Sequence, residues 1–207
     1  MTGLRLFGWD QSTYTRSVLL ALLEKGLTAE LVTTNPFAEG APTAEHLDRQ
    51  PFGKIPALEH GGFRLYETVA ILRYLDEACP GPALQPADPQ DRARMQQILS
   101  ILDSYAYRAL VWDLFVNSRE ETLDEAALAR GVEIGGKALT AIADLMKGPW
   151  LCGDQLTLAD CHLAPILRYA VDTQEGRELL SGQPNLVAWW QAAEARRGWG
   201  EILGAAA

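Results

Sequence analysis

The sequence predicts an α/β domain followed by an all-α domain, on three observations. Through residue 79, short alternating runs and helical patterns follow one another as β-α-β and then β-β-α. A proline-rich stretch occupies 80–88. From residue 89 onward, apolar residues recur at helical spacing with few β-branched runs.

Leu4-Arg5-Leu6-Phe7 alternates as a short strand does, and Trp9 to Thr13 is a polar turn. The next helix carries its apolar positions at Val18, Leu19, Leu22 and Leu23, and Glu24-Lys25-Gly26 supplies a cation and a glycine as its stop. Ala29 to Thr33 reads as a second strand. Gln50-Pro51-Phe52-Gly53 is a turn signal before Lys54 to Glu59, a run that opens on a proline. Pro56 has no N–H to pair, so it marks a strand start or bend, and Ile55-Pro56 is the candidate cis bond. His60-Gly61-Gly62 turns a hairpin into Phe63 to Tyr66. Glu67-Thr68 then opens a helix whose buried stripe is Val69, Ile71, Leu72 and Leu75. A β-α-β unit followed by a hairpin and a helix is the thioredoxin arrangement, at the size of a small domain.

Pro80, Pro82, Pro86 and Pro89 with Gly81 suit an extended linker. The expected division is therefore a domain at 1–79, a linker at 80–88 and a helical domain at 89–207. Helical spacing runs from Gln90 to about Asn117, Leu123 to Lys147, Thr157 to Asp172 and Pro184 to Arg197. Thr157-x-x-Asp160 is a capping-box pattern, with Leu156 placed to staple against Cys161, and its role is folding.

The net charge of −9 on 207 residues disfavours nucleic acid and anionic membrane surfaces as partners. Cys79, Cys152 and Cys161 form neither a C-x-x-C nor a Cys/His cluster, so no disulfide framework and no metal site is expected. The N-terminus lacks a signal-peptide layout, and no apolar run approaches the roughly 18 residues a membrane span needs. These features lead to an expectation of a cytoplasmic protein.

In a thioredoxin-like domain, redox members place their dithiol in the loop after the first strand. Here that loop holds Ser12-Thr13-Tyr14-Thr15, so dithiol chemistry is absent. A hydroxyl at a helix N-terminus can still hydrogen-bond a bound thiolate and lower its pKa. It can equally be a plain N-cap that needs no ligand. Lys54 is either a solvated lysine or a partner for a carboxylate, and Ile55 can offer its N–H and C=O to a peptide. Glu67-Thr68 is either a cap or a site at which free N–H groups take a carboxylate and Glu67 an ammonium. Trp9, Tyr105, Trp112 and Phe115 are candidates to wall an apolar pocket, against the usual reading of such aromatics as core.

Taken in order, Ser12-x-x-x-Arg16-x-Val18, Lys54-Ile55-Pro56 and Glu67-Thr68 before an apolar helix resemble the cytosolic glutathione transferases, in particular the serine-type theta-like and phi-like members. The stretch from Leu151 to Asp160 extends the resemblance into the second domain. It implies the glutathione transferase fold, glutathione as co-substrate without a metal, and a homodimer with Glu67-Thr68 near the interface. It also implies Ser12 as the group that activates the sulfur, with Thr13 and Tyr14 as alternatives, and a glutathione site built from Lys54, Ile55, Glu67 and Thr68. The implied reaction joins glutathione's thiolate to a small apolar electrophile. The alternatives are a glutathione-dependent dehalogenase or isomerase, or a non-catalytic interaction module. One departure stands out: Phe37 to Pro42 lacks the basic residue that phi-like members carry near the start of their second helix.

Overall fold

A computed structural model of the chain describes residues 3–204. They divide into two compact units, the first ending at Ala83 and the second beginning at Leu84. The first unit is thioredoxin-like, with β1 (Leu4–Gly8), α1 (Thr13–Glu24), β2 (Glu30–Thr33), α2 (Ala44–Arg49), β3 (Ala57–His60), β4 (Phe63–Tyr66) and α3 (Thr68–Ala78). The strands lie in the order β2-β1-β3-β4, with β2 parallel to β1, and β3 antiparallel to both β1 and β4. The Ile55–Pro56 bond is cis, as is Ala41–Pro42.

Alternation sorts the sheet residues by face. Leu6 and Leu58 stand opposite each other and are fully buried. Arg5, Glu59 and Arg64 form a charged row across β1, β3 and β4. Arg49 of α2 joins that row, bonding Glu59 at 2.9 Å and lying 4.3 Å from the centre of the Phe7 ring. Helix α2 has no counterpart in the periodicity of the sequence, because six residues are too few to show an apolar stripe. Its start is nonetheless conventional, with the Thr43 hydroxyl accepting from His46 N at 3.2 Å.

The buried face of α1 keeps two of its expected positions, Val18 and Leu22, and replaces the other two. Val18, Leu20, Ala21 and Leu22 are buried, whereas Leu19 is half-buried and Leu23 is exposed. The helix also buries Thr15, Arg16 and Ser17. A face this wide lets Leu19 and Leu23, one turn apart, occupy the outer side. On α3 the buried residues are Thr68, Ile71, Leu72 and Leu75, while Val69 is half-buried. Each fully buried leucine or isoleucine contributes about 1.5–3 kcal/mol.

Lys25 is more than a helix-end cation. Its side chain is buried, and Nζ donates to Asp76 Oδ1 at 3.1 Å and to Pro82 O at 3.0 Å. The end of α1 is thereby tied to α3 and to the proline-rich segment. Gly81 permits the approach: at φ +118° it lies so close to the Lys25 carbonyl that an added Cβ would collide with it.

The second unit is helical: α4 (Pro89–Ile101), α5 (Glu125–Leu145), α6 (Leu158–Ala170), α7 (Gln174–Ser181), α8 (Pro184–Glu194) and α9 (Trp199–Leu203). Between α4 and α5 the chain runs as π-helix over Leu102–Ala106 and Arg108–Val116, then as a 3₁₀ turn at Asn117–Arg119. The sequence predicts one continuous helix there, and hydrophobic spacing does not separate α from π. The wider π turn places residues five apart over one another, and Arg108 accordingly meets Asp113 at 3.0 Å. Arg130 of α5 grips both oxygens of the same carboxylate at 2.9 Å. Helix α6 is central, with every residue but Arg168 buried. Its capping box forms as expected: Thr157 N and Oγ1 donate to Asp160 Oδ2 at 2.7 and 2.8 Å. Leu156 and Cys161, the expected staple pair, are both buried.

Candidate functional site

Strand register decides what comes together in the first unit. Phe7, Ala57 and Tyr66 occupy one row across β1, β3 and β4. The strands alternate in direction, so the loop after β1, the segment before β3 and the start of α3 all leave the sheet at one edge. Ser12, Ile55 and Glu67-Thr68 belong to those three connections.

At the first of them, Ser12 is the N-cap of α1. Its Oγ accepts from Thr15 N at 3.3 Å, and its carbonyl accepts from Arg16 N at 2.9 Å. The turn before it is closed by Ser12 N donating to Trp9 O at 2.9 Å and by Arg16 Nε donating to Asp10 O at 2.7 Å. Gly8 is required here, since a Cβ at this residue would collide with Thr15. A capping hydroxyl uses a lone pair and keeps its proton. Ser12, half-buried, therefore remains able to donate while it caps, beside the positive end of α1. Of the alternatives, Thr13 is buried and Tyr14 half-buried.

Lys54 is exposed and Ile55 is half-buried. The Ile55 N–H and C=O meet no hydrogen-bond partner among the described residues. The loop before them is held from α2 and its C-cap. Gln50 Oε1 accepts from Phe52 N at 2.7 Å and from Lys54 N at 3.1 Å, and His46 Nε2 lies 2.7 Å from Lys54 O. No short motif points to His46 or Gln50. The available signal is two polar residues one helical turn apart just before a turn.

Glu67 is the N-cap of α3 at φ 70°, the one non-glycine residue with positive φ among those described. Such a conformation costs about 1–3 kcal/mol in a residue with a side chain. The Glu67 side chain makes no capping bond and is exposed, so the reading of this residue as a side-chain cap does not apply. Thr68, the first residue of the helix, is buried.

The aromatic candidates fall in both units. Trp9 is half-buried, its ring edge-on to Phe37 at 6.3 Å. Tyr105 is 56% exposed and Trp112 half-buried. Phe115 is buried, with Tyr169 at 4.6 Å and the Arg119 guanidinium 4.1 Å above its ring, so it serves the core of the second unit. His60 Nδ1 pairs with the Tyr74 hydroxyl and His162 Nε2 with Asp103, at 2.8 and 2.9 Å. Burial pushes the Cys152 thiol up to about 11, which leaves it unionised at neutral pH. Among the described residues no group of three or more His, Cys, Asp or Glu side chains is placed to hold a metal ion, and no helix is long and apolar enough to cross a membrane.

Residues 6–83 match the family model for the glutathione S-transferase N-terminal domain, and residues 94–197 that for the C-terminal domain. Glutathione S-transferase F14 of Arabidopsis thaliana is 33% identical over 204 residues, spanning 93% of this chain and 78% of that protein. A glutathione S-transferase of Pseudomonas putida is 37% identical over 165 residues, 76% of this chain and 70% of that one. Among solved structures, a glutathione S-transferase of Methylobacterium radiotolerans in complex with glutathione sulfonate superposes with a TM-score of 0.82 at 29% identity, covering 100% of this chain and 97% of that one. With both domain models matched in order and relatives this similar over most of the chain, the protein belongs to the glutathione S-transferase family.

Proposed function

We propose that the chain is a glutathione transferase, binding glutathione along the sheet edge of its first unit and joining the sulfur to a small apolar electrophile. The observation that carries this reading is the row Phe7, Ala57, Tyr66, which gathers three connections at one edge. From β1 to β4 is two strand spacings, roughly 10 Å. An extended tripeptide spans about the same distance. A ligand of that length reaches from Lys54 past Ile55 to the start of α3, with its central sulfur turned toward the Ser12 hydroxyl.

Each end of the tripeptide then meets matching chemistry. Glu67 accepts from the α-ammonium of the γ-glutamyl group, while Thr68 and the free N–H groups of α3 take its carboxylate. Ile55 pairs with the cysteinyl unit as one rung of a ladder, and Lys54 faces the glycine carboxylate. The Ser12 hydroxyl donates a hydrogen bond to the sulfur anion, and the proton the thiol loses passes to solvent. A free thiol titrates near 8.5, so a fall of about two units makes the thiolate the majority form at pH 7. The thiolate attacks the electrophile, and the leaving group carries off the electron pair. Phe115, buried against Tyr169 in the core of the second unit, is withdrawn from the aromatic candidates. In keeping with the resemblance to cytosolic members, the protein acts as a cytoplasmic homodimer without a metal.

Calorimetric titration with glutathione, followed by turnover of an activated aryl halide, tests the reading. We expect saturable binding and a conjugate of the expected mass. A chain that gives no heat at millimolar glutathione is not this enzyme.

A further inference from the structure

His46 and Gln50 lie one helical turn apart, the first in α2 and the second its C-cap, with Gln50 N donating to His46 O at 2.8 Å. Both are almost wholly buried, at 4% and 2% exposure. Their side chains hold three backbone groups of the loop over Phe52 to Lys54. Gln50 accepts from Phe52 N and Lys54 N, and His46 bonds the Lys54 carbonyl. A carbonyl oxygen only accepts, so Nε2 carries the proton. Nδ1 is then an acceptor, buried without a protein partner. A phenyl ring would fill the same space without burying an unmatched nitrogen, so the bond to Lys54 O is what the imidazole adds at this position.

The Lys54 carbonyl and the Ile55 N–H belong to one peptide group. That bond is trans, since among the described residues only Ala41–Pro42 and Ile55–Pro56 are cis. A trans peptide is planar, with its C=O and N–H pointing in opposite directions. Fixing the oxygen therefore fixes the direction of the N–H, and a hydrogen bond to the oxygen polarises the group and strengthens its N–H as a donor.

We infer that His46 and Gln50 are positioning residues for glutathione, holding the Lys54–Ile55 peptide so that the Ile55 N–H points at the cysteinyl carbonyl of the bound tripeptide. The inference rests on the glutathione reading above. Neither side chain touches the ligand. Both act through the backbone, and the contact they set is made equally in the ground and transition states. Such a contact moves KM and leaves kcat alone.

The test compares the parent chain with His46→Phe, His46→Gln and Gln50→Leu, measuring the glutathione Kd by calorimetry, KM and kcat with an activated aryl halide, and Tm without ligand. For His46→Phe we expect Kd and KM for glutathione to rise roughly tenfold, the value of one good hydrogen bond, with kcat at saturation within about twofold. Gln50→Leu should show the same split. His46→Gln keeps a donor and should bring Kd back to within about threefold of the parent, a rescue that a space-filling role would not produce. Parental affinity in His46→Phe overturns the inference, as does a glutamine variant no better than phenylalanine, or a fall in kcat at unchanged KM. If His46→Phe fails to fold while His46→Gln folds, the bond is a folding requirement and the inference also falls. The parent titration keeps the two claims apart: a parent that does not bind glutathione refutes the reading, whereas a binding parent with indifferent variants refutes only the positioning role.

Discussion

A serine hydroxyl has one proton and two lone pairs, and at Ser12 these divide between two tasks. A lone pair caps α1 through Thr15 N, and the proton is left for a thiolate. Removing the hydroxyl should therefore show two separable losses. In Ser12→Ala, the lost cap lowers stability by about 1 kcal/mol, and the lost hydrogen bond lowers kcat at least roughly tenfold, while the glutathione Kd stays near the parent value. Melting curves and steady-state kinetics read the two separately, and unchanged turnover would shift the role to Thr13 or Tyr14. Glu67 poses the opposite case, a residue whose backbone is strained and whose side chain caps nothing. Glu67→Gly adopts positive φ freely, so we expect Tm to hold or rise while glutathione affinity falls, by about 1–3 kcal/mol for a lost charged partner. Equal or better binding in the glycine variant would remove Glu67 from the site. Ser12, Ile55 and Glu67-Thr68 are legible in the sequence because each sits at a structural punctuation mark: a helix start, a strand-opening proline, a second helix start. The turn at Gln50 to Gly53 is legible too, but the roles of His46 and Gln50 are not, because these lie in side-chain contacts to that turn which form only on folding.

At the scale of the element, α6 shows how much one buried carboxylate can organise. Asp160 is fully buried and takes four hydrogen bonds: Leu151 N at 2.9 Å and Trp189 Nε1 at 2.7 Å on one oxygen, Thr157 N and Oγ1 on the other. Burial pushes its carboxyl above the usual range, and the four donors work against that shift. Asp160→Ala strands these donors and should cost roughly 3–5 kcal/mol, read as a lower urea midpoint. Intrinsic fluorescence is a suitable probe, because Trp112, Trp150, Trp189, Trp190 and Trp199 all lie in the second unit. Asp160→Asn keeps one acceptor and should fall between. A variant as stable as the parent would show that the box is ornamental. The box is readable from Thr157-x-x-Asp160 because it is local, whereas its bonds to Leu151 and Trp189 come from 9 and 29 residues away. The same limit explains the π-helical run: Arg108, Asp113 and Arg130 meet only across a geometry that hydrophobic spacing does not encode.

For the whole molecule, charge sets how stability depends on pH. The chain carries −9 and approaches neutrality near its pI of about 4.8, so measurements in that region need low protein concentration. The first unit gathers Arg5, Arg49 and Arg64 around Glu59 at 3.1, 2.9 and 3.1 Å. Burial alone would push the Glu59 carboxyl up. The hydrogen bond from Arg49 and the charges of Arg49, Arg64 and Arg5 outweigh it and hold the carboxyl below its ordinary value. A carboxyl lowered on folding stabilises the protein above its unfolded pKa, about 4.3, and that stability is lost as pH falls through the lower folded value. We therefore expect the Glu59 contribution to the urea midpoint to stay level from pH 7 to about 5 and to drop below about 4.3. Glu59→Gln, which keeps the shape and removes the charge, should cost about 1–2 kcal/mol at pH 7. The gap between variant and parent should close as pH falls through the lowered value of the parent's carboxyl and that group protonates. Added salt should narrow it at pH 7 as well, because Arg5 and Arg64 are partly exposed and open to screening. A gap that stays constant from pH 7 to pH 3 would mean that Glu59 contributes through packing, and that the three arginines are held on the sheet by something other than its charge.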